Sequence, residues 1–328
     1  MDQLPHPSKE ISIVETEALD LNLGFSLKLR ELGLWKTEHL FSSLETSGIL
    51  EPILVAYEQD SSGPALLIDG FKRLMWARDR GISHLSAMDT SLSPRELLLF
   101  LLQKHGNELT SCALIALFLD FVAERGFDSH LILNEIMPAL GLQGHAKLLE
   151  KYRRVATLPV KVLTLCHKKD FSLKRCINLT HQPRQLLERL IELEGKLSLS
   201  ASLFQELCDA ISDILKREGL SVEEFFQRKE IIEILEAGQD RATTTRLFRS
   251  YIRKLRNPLL TSYQRELQKI HKTYFSSAPF HVKWDETLEN RRIEISSTVT
   301  DIEELRNLSK AISSEKTKKG VKELLSRF

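Results

Sequence analysis

The stretch Leu66-Leu67-Ile68-Asp69-Gly70-Phe71-Lys72-Arg73-Leu74-Met75-Trp76-Ala77 constrains the fold more than any other part of the chain. A short apolar run bounded by glycine is a strand pattern, and the residues after Gly70 space their apolar side chains as a helix does. A chain that changes period at one residue must set a strand end against a helix start. The first turn of a helix has unpaired backbone N–H groups and the positive end of the helix dipole. A glycine just ahead of it lets an anion approach the backbone. Lys72 and Arg73 would neutralise a phosphate there, Arg73 through two parallel hydrogen bonds. Alone, a Gly-x-Lys-Arg pattern is weak evidence, because most such pairs are solvated surface.

The surrounding sequence alternates in the same way. Ile11 to Val14, Ile53 to Tyr57, Ala65 to Ile68 and His84 to Met88 are short, apolar and bounded by turn residues, so they are expected as strands. Thr37 to Ser47 and Phe71 to Arg80 are expected as helices, the first opened by Thr37 as N-cap. Residues 1–92 thus predict a small N-terminal α+β domain. From Ser93 to about Tyr274 the pattern is helical, and it divides into regions 93–195 and 196–276. Ser93-Pro94-Arg95-Glu96 combines an N-cap, a proline at the first helical position and a capping-box glutamate. Ser221-Val222-Glu223-Glu224 is a second capping box. In the tail, 277–328, Phe280 to Trp284 and Arg292 to Ser296 alternate around a turn near Glu289-Asn290, and a helix is expected from Asp301 to Ile312. The expected fold class is α+β: a small N-terminal α+β domain, a long all-helical middle and a C-terminal strand-strand-helix unit. Two strands are marginal alone, so the tail must pack on helices or pair with a second chain.

With 328 residues the chain can hold several domains and an ample core, and its 42% apolar content is that of a folded protein. The most apolar segments, Leu97 to Leu102 and Ala113 to Val122, fall short of the roughly 20 residues of a membrane span. The first residues show no signal-peptide core. Cys112, Cys166, Cys176 and Cys208 have no C-x-x-C spacing and are expected as free thiols of a cytoplasmic protein. His105, His145, His167 and His181 lack ligand spacing, so no metal site is expected, and no catalytic residues are legible.

The net charge of +1 hides a strong segregation. From His145 to Arg189, and again from Arg241 to Lys272, each stretch carries eight excess positive charges. Dense basic blocks of this kind are the electrostatic footprint of phosphate-backbone binding, although solvated helix faces look the same. In the first block Lys147, Lys151 and Arg154 recur at helical spacing and share a face, with Leu148, Leu149, Tyr152 and Val155 on the other. Gln143 and His145 precede that helix, and Lys174 and Arg175 follow in the same block, so these seven residues are the expected DNA contacts. In the second block Leu247, Phe248, Tyr251, Ile252 and Leu255 form an apolar face, with Arg246, Arg249, Arg253 and Lys254 elsewhere.

The flanks of Gly70 resemble the N-terminal domain of the ParB partition-protein family. Leu40-Phe41-Ser42-Ser43-Leu44-Glu45-Thr46-Ser47-Gly48-Ile49-Leu50-Glu51-Pro52-Ile53-Leu54-Val55 is similar to its S-I-x-x-x-G-L-x-x-P-I-x-V motif. Ala77-Arg78-Asp79-Arg80-Gly81-Ile82-Ser83-His84-Leu85-Ser86-Ala87 is similar to its A-x-x-x-G-x-x-x-I-P-V ending. Residues 1–92 are accordingly expected as a ParB-like N-terminal domain. The likeness extends more weakly to about Pro159, and the whole chain resembles a divergent bacterial subgroup with G-F-R-R in place of G-E-R-R. In that family the glycine–arginine motif helps bind the phosphates of CTP. The resemblance therefore implies nucleotide binding by Gly70, Lys72 and Arg73, with CTP and magnesium as cofactor. The sequence departs from the family at Phe71, usually an acid, and at Glu51, often Gln. It departs again at Gln103-Lys104-His105-Gly106-Asn107, which keeps neither the Asn nor the Arg of an N-x-x-R motif. Leu133 to Gly141 resembles the first helix and turn of the family's helix-turn-helix, and Lys147 to Leu158, ending at Pro159, its recognition helix. Pro138 falls inside the first helix, where it removes a hydrogen bond and bends the axis. That implies a degenerate motif that grips backbone rather than reading bases.

The expected function is a cytoplasmic, nucleoid-associated DNA-binding protein of the ParB-like class in partition or regulation. Its expected partners are DNA, a second copy of the chain and a ParA-type ATPase. No segment before Ile11 is recognisable as an ATPase activator. It is read as a binding protein rather than an enzyme, with residual CTPase-type activity left open. The alternatives are a phosphotransferase-like enzyme of the same fold class, using Glu51 or Asp69, and a scaffold without either activity. A sulfiredoxin is excluded, because its nucleophilic cysteine position is Phe71.

Overall fold

The computed structural model describes residues 11–57, 64–285, 290 and 292–327, and the chain divides into two compact units, 1–212 and 213–328. The first unit begins with β1 (Ile11–Glu15), α1 (Phe25–Glu31), α2 (Glu38–Ser47), β2 (Ile53–Ala56), β3 (Leu66–Asp69), α3 (Phe71–Asp79) and β4 (His84–Asp89). These strands form one mixed sheet in the order β1-β4-β2-β3. β1 runs antiparallel to β4, β4 parallel to β2, and β2 antiparallel to β3 with a register shift between Leu54 and Val55. Alternation sets the buried face: Val14, Ile53, Val55, Leu67, Leu85 and Ala87 are all buried. Leu74 and Ala77 of α3 are buried as well, and α3 packs on β2. The strands and helices read from the pattern are present to within a residue or two. Thr37 stands at the N-cap of α2 but makes no side-chain cap hydrogen bond.

Helix α1 is not visible in the periodicity, and it joins the sheet to the helices. Phe25, fully buried, meets Phe118 and Phe121 edge-on at 5.2 and 5.3 Å, and the His105 ring at 5.1 Å. Those partners lie on α4 (Pro94–His105) and α5 (Cys112–Glu124). The capping box at Ser93 is formed, with Glu96 bonded back to the Ser93 backbone. α5 is apolar around most of its circumference, as a helix must be to form the centre of a helical layer. Against it pack a π-helical stretch Ile132–Ile136, flanked by α6 (Ser129–Leu131) and α7 (Met137–Ala139), then α8 (Ala146–Ala156), α9 (Val160–Lys168) and α10 (Leu173–Leu179), and α11 (Arg184–Glu192) follows. Cys166, Cys176 and Cys208 are buried, Cys112 is half-buried, and all four thiols are free.

Helix α12 (Ala201–Glu218) crosses the boundary between the units. The second unit continues with α13 (Val222–Phe226), α14 (Lys229–Glu236), α15 (Arg241–Arg256), α16 (Pro258–Phe275), β5 (His281–Trp284), β6 (Ile293–Ser296), α17 (Ile302–Ser313) and α18 (Glu315–Leu325). The Ser221 capping box is formed. β5 and β6 pair antiparallel, and Val282, Trp284 and Ile293 join a core of Leu267, Ile270, Phe275, Phe280 and Leu324. The tail strands therefore pack on helices of their own chain. The turn expected at Glu289-Asn290 falls partly outside the described residues. α18 goes beyond the expected tail, because its inward side is made of small or scattered residues. Gly320 lets it lie against α16: a Cβ there would stand 2.6 Å from the Phe275 ring. Among the described residues, no helix is long and apolar enough to cross a membrane.

Candidate functional site

The turn between β3 and α3 can hold only glycine. Gly70 has φ +102°, and a Cβ there would lie 2.6 Å from Ile53 Cγ2. It is the N-cap of α3 and, lacking a side chain, leaves the first-turn N–H groups uncapped. Phe71, which stands where the related motif has an acid, is core: it is 5% exposed and packs beside Gly24. Arg73 turns back onto the protein. Its guanidinium donates to the carbonyls of Glu51 at 2.8 Å and Pro52 at 2.9 Å. It also pairs with the carboxylates of Asp69 and Glu51 at 3.7 and 3.5 Å, and its side chain is 15% exposed. Lys72 makes only a long contact, 3.4 Å, to the Lys36 carbonyl.

The structure brings further residues to this turn that the sequence does not point to. Lys104, from the segment that departs from the third family motif, reaches Asp69 at 2.9 Å. His105 Nδ1 lies 2.8 Å from Glu108 Oε2. The hydrogen bond to His105 holds the Glu108 carboxyl below its ordinary range, helped by the charges of Lys72 and Lys104. The signal available in the sequence is a cation, Lys104, close to the position of the missing Arg. The helix start is therefore ringed by Lys72, Arg73 and Lys104, but Asp69, Glu51 and Glu108 already supply the opposite charge. A phosphate entering here must displace internal carboxylates. Among the described residues, no group of three or more His, Cys, Asp or Glu side chains is placed to hold a metal ion.

The first basic block behaves differently. The helical segment before it tolerates Pro138 because the stretch Ile132–Ile136 is π-helical. Widening the turn just ahead of a proline relieves both the missing N–H and the ring's clash with a preceding carbonyl. The chain thus continues past the proline through a local change of helix type. Gly141 then turns the chain with φ +73°. Gly144 passes so close to the Leu133 carbonyl that a Cβ would stand 2.0 Å from its oxygen. The chain enters α8 through His145, whose Nδ1 accepts a hydrogen bond from the Lys147 N–H at 3.1 Å. His145 is therefore occupied in capping the helix.

On α8, Tyr152 and Val155 are buried, and burial pushes the Tyr152 phenol up to about 12. Arg153 fastens the flank of the helix to Asp120 of α5 at 3.1 Å. The opposite face presents Lys147, Lys151 and Arg154, all exposed. Arg154 touches only His181, at 3.2 Å. Gln143 is exposed in the turn, and Lys174 and Arg175 are exposed on α10, which packs on α8. Among the described residues, Lys147, Lys151, Lys174 and Arg175 have no carboxylate partner. α8 therefore offers a row of cations that are not ion-paired among the described residues, with Glu150 the one acid of the helix, and the helix is anchored from behind.

No family model and no curated protein matches the chain. It is similar to solved structures of ParB proteins. One is the C-terminally truncated chromosome-partitioning protein ParB from Caulobacter crescentus complexed to the centromeric parS site. It is 18% identical over 60% of this chain and 98% of that one, with a TM-score of 0.29. The same truncated protein complexed with CTP-gamma-S is 16% identical over 56% and 98%, with a TM-score of 0.22. A Pnob8-like ParB-N domain is 12% identical over 76% and 98%, with a TM-score of 0.31. At these scores the overlap is loose, and the chemistry of the two regions follows from their own geometry.

Proposed function

We propose that this chain is a DNA-binding protein of the ParB-like class, gripping the phosphate backbone through α8 and serving partition or regulation at the nucleoid. The observation that carries the proposal is the exposed row Lys147, Lys151 and Arg154, unneutralised by any carboxylate among the described residues. Gly141 and Gly144 set the entry to α8, so the segment would work as a degenerate helix-turn-helix. With His145 held as a cap, base reading falls to Gln143 alone, and sequence discrimination should be weak. Duplex DNA titrated over a salt series tests this. Affinity should fall steeply with salt, and salt-independent or absent binding would overturn the proposal.

A nucleotide reading is favoured by one observation: Lys72 and Lys104 stand together beside the uncapped start of α3. CTP would be taken by these two lysines with Gly70, while Arg73 braces the turn. Binding should be weak, since Asp69 and Glu108 compete with the phosphates. Calorimetry with CTP, ATP and GTP plus magnesium tests it, and no heat at millimolar ligand would rule it out. The phosphotransferase alternative needs a carboxylate free to act as base; Asp69 is held by both Arg73 and Lys104, while Glu51, exposed and 3.5 Å from Arg73, is the candidate left to it. The class also implies a homodimer and a ParA-type ATPase partner. Ile302, Leu305 and Ile312 of α17 are 71%, 52% and 39% exposed, an apolar row that a second copy would cover. A monomer by light scattering at tens of micromolar would defeat the dimer.

A further inference from the structure

The interior of the first unit contains a thiol cluster that neither the α3 turn nor the basic faces use. Cys112 opens α5, Cys166 lies near the end of α9 and Cys176 lies on α10, and both α9 and α10 pack against α5. The three thiols meet at Cys176: the S–H groups of Cys112 and Cys166 both donate to its sulfur. Cys176 Sγ also stands 3.9 Å from the Phe171 carbonyl. Cys166 and Cys176 are buried, whereas Cys112 is half-buried and forms the open end of the cluster. Tyr152, on the inward side of α8, is raised first by burial and then by the charges of Cys112 and Cys176, so the cluster lies behind α8.

A buried thiol standing alone is inert, and Cys208 is of that kind: burial pushes it above the ordinary thiol range. Cys176 differs. The S–H donors of Cys112 and Cys166 stabilise its thiolate and hold it below that range. Cys112 and Cys166 are pushed up by the same contact and by burial, so they keep their protons. The Asp170 carboxylate adds to the rise at Cys112. The result is a nucleophilic sulfur with a protonated thiol beside it. That is the pairing in which a sulfenic acid, once formed, is resolved as a disulfide.

We infer that Cys176 and Cys112 are a modification site for hydroperoxides, which convert the pair into a disulfide joining α10 to α5. The Cys176 thiolate attacks one oxygen of hydrogen peroxide. The S–O bond forms, the O–O bond breaks, and the departing hydroxide takes a solvent proton and leaves as water. The Cys112 sulfur then attacks the sulfenic sulfur of Cys176. The S–S bond forms, the S–O bond breaks, and the Cys112 proton departs with the hydroxyl as a second water. Two thiols lose two electrons and one peroxide gains them. Cys112 is the resolving thiol because that water leaves through the open end of the cluster, whereas Cys166 is sealed at 1% exposure. Closing the contact to the about 2 Å of an S–S bond takes side-chain rotation and a slight approach of α10 to α5. The link would fix α10, where the exposed Lys174 and Arg175 precede Cys176, against the central helix of the layer.

The test exposes the folded full-length protein to hydrogen peroxide, alkylates the remaining thiols and maps the non-reduced digest by mass spectrometry. Two of the four free thiols should be lost, with Cys112 and Cys176 recovered in one linked peptide that dithiothreitol separates. The oxidised protein should melt at a higher temperature than the reduced one, because the link shortens the unfolded chain's reach. C166S and C208S should keep the link. C112S and C176S should abolish it, and C112S should leave a sulfenic acid at Cys176 that dimedone traps. Should C176S lose structure, C112S, at the half-buried position, decides the matter. Retention of all four thiols under peroxide that oxidises free cysteine would overturn the inference. So would a link from Cys176 to Cys166, or a sulfinic acid in place of a disulfide. None of these readouts involves DNA, so this site and the proposed function stand or fall separately.

Discussion

The start of α3 and the face of α8 use the same side chains and arrive at opposite electrostatic states. At α3, Lys72, Arg73 and Lys104 gather round a glycine turn, yet Asp69, Glu51, Glu108 and two backbone carbonyls face them. On α8, Lys147, Lys151 and Arg154 face water, and among the described residues none of them is ion-paired to a carboxylate, although Glu150 stands on the same helix. The first arrangement is largely self-neutralised, and part of its interaction energy holds β2, β3, α3 and α4 together. The second has left its charge unsatisfied. A cluster of cations therefore marks a ligand site only where the protein has not already provided the anions.

The comparison breaks or sharpens in measurable ways. The largest effect is expected from K147A/K151A/R154A, which should flatten the salt slope of duplex binding by about three units. Lys72→Ala and Lys104→Ala should leave that slope unchanged. Equal losses from both sets would erase the distinction between the two regions. Gly70→Ala comes next. It forces a non-glycine residue to φ +102° and drives a Cβ into Ile53. The strain and overpacking should cost about 2–4 kcal/mol of stability, read from denaturant unfolding. A neutral result would mean that the turn relaxes freely.

Asp69→Asn removes the carboxylate that holds both Arg73 and Lys104. If internal neutralisation is what limits phosphate binding at α3, nucleoside triphosphate should bind about tenfold tighter in this variant, or about 1.4 kcal/mol by calorimetry. Unchanged or weaker binding would show that Asp69 positions the lysines rather than occupying them. The smallest effect concerns Glu108. Its carboxyl is held below the ordinary 4.5 by its hydrogen bond to His105. A depressed folded-state value adds stability above the unfolded value and loses it as the carboxylate is protonated. The contribution should be complete above about 4.5 and fade as the pH falls through the folded-state value, and Glu108→Gln should flatten that part of the acid limb. An identical acid limb in the variant would discount the contact.

Short-range chemistry makes much of this protein legible in its sequence. The period change at Gly70, the capping boxes at Ser93 and Ser221 and the alternating strands each follow from interactions within a few residues, so the chain carries them locally. The split between polar and apolar faces of α8 is equally plain, because helical spacing alone decides which side chains share a face. Other features depend on residues far apart in the chain. α1 is held by Phe25 meeting α5, and α18 by Gly320 letting it close on α16. The π-helical turn that absorbs Pro138 is a compromise between a local breaker and the packing on both sides of it. The sequence by itself determined the element types, the core faces and the positions of the cations. Only the tertiary structure decided which cations are free, because Asp69 meets Lys104 across 35 residues, and charge is neutralised by neighbours in space.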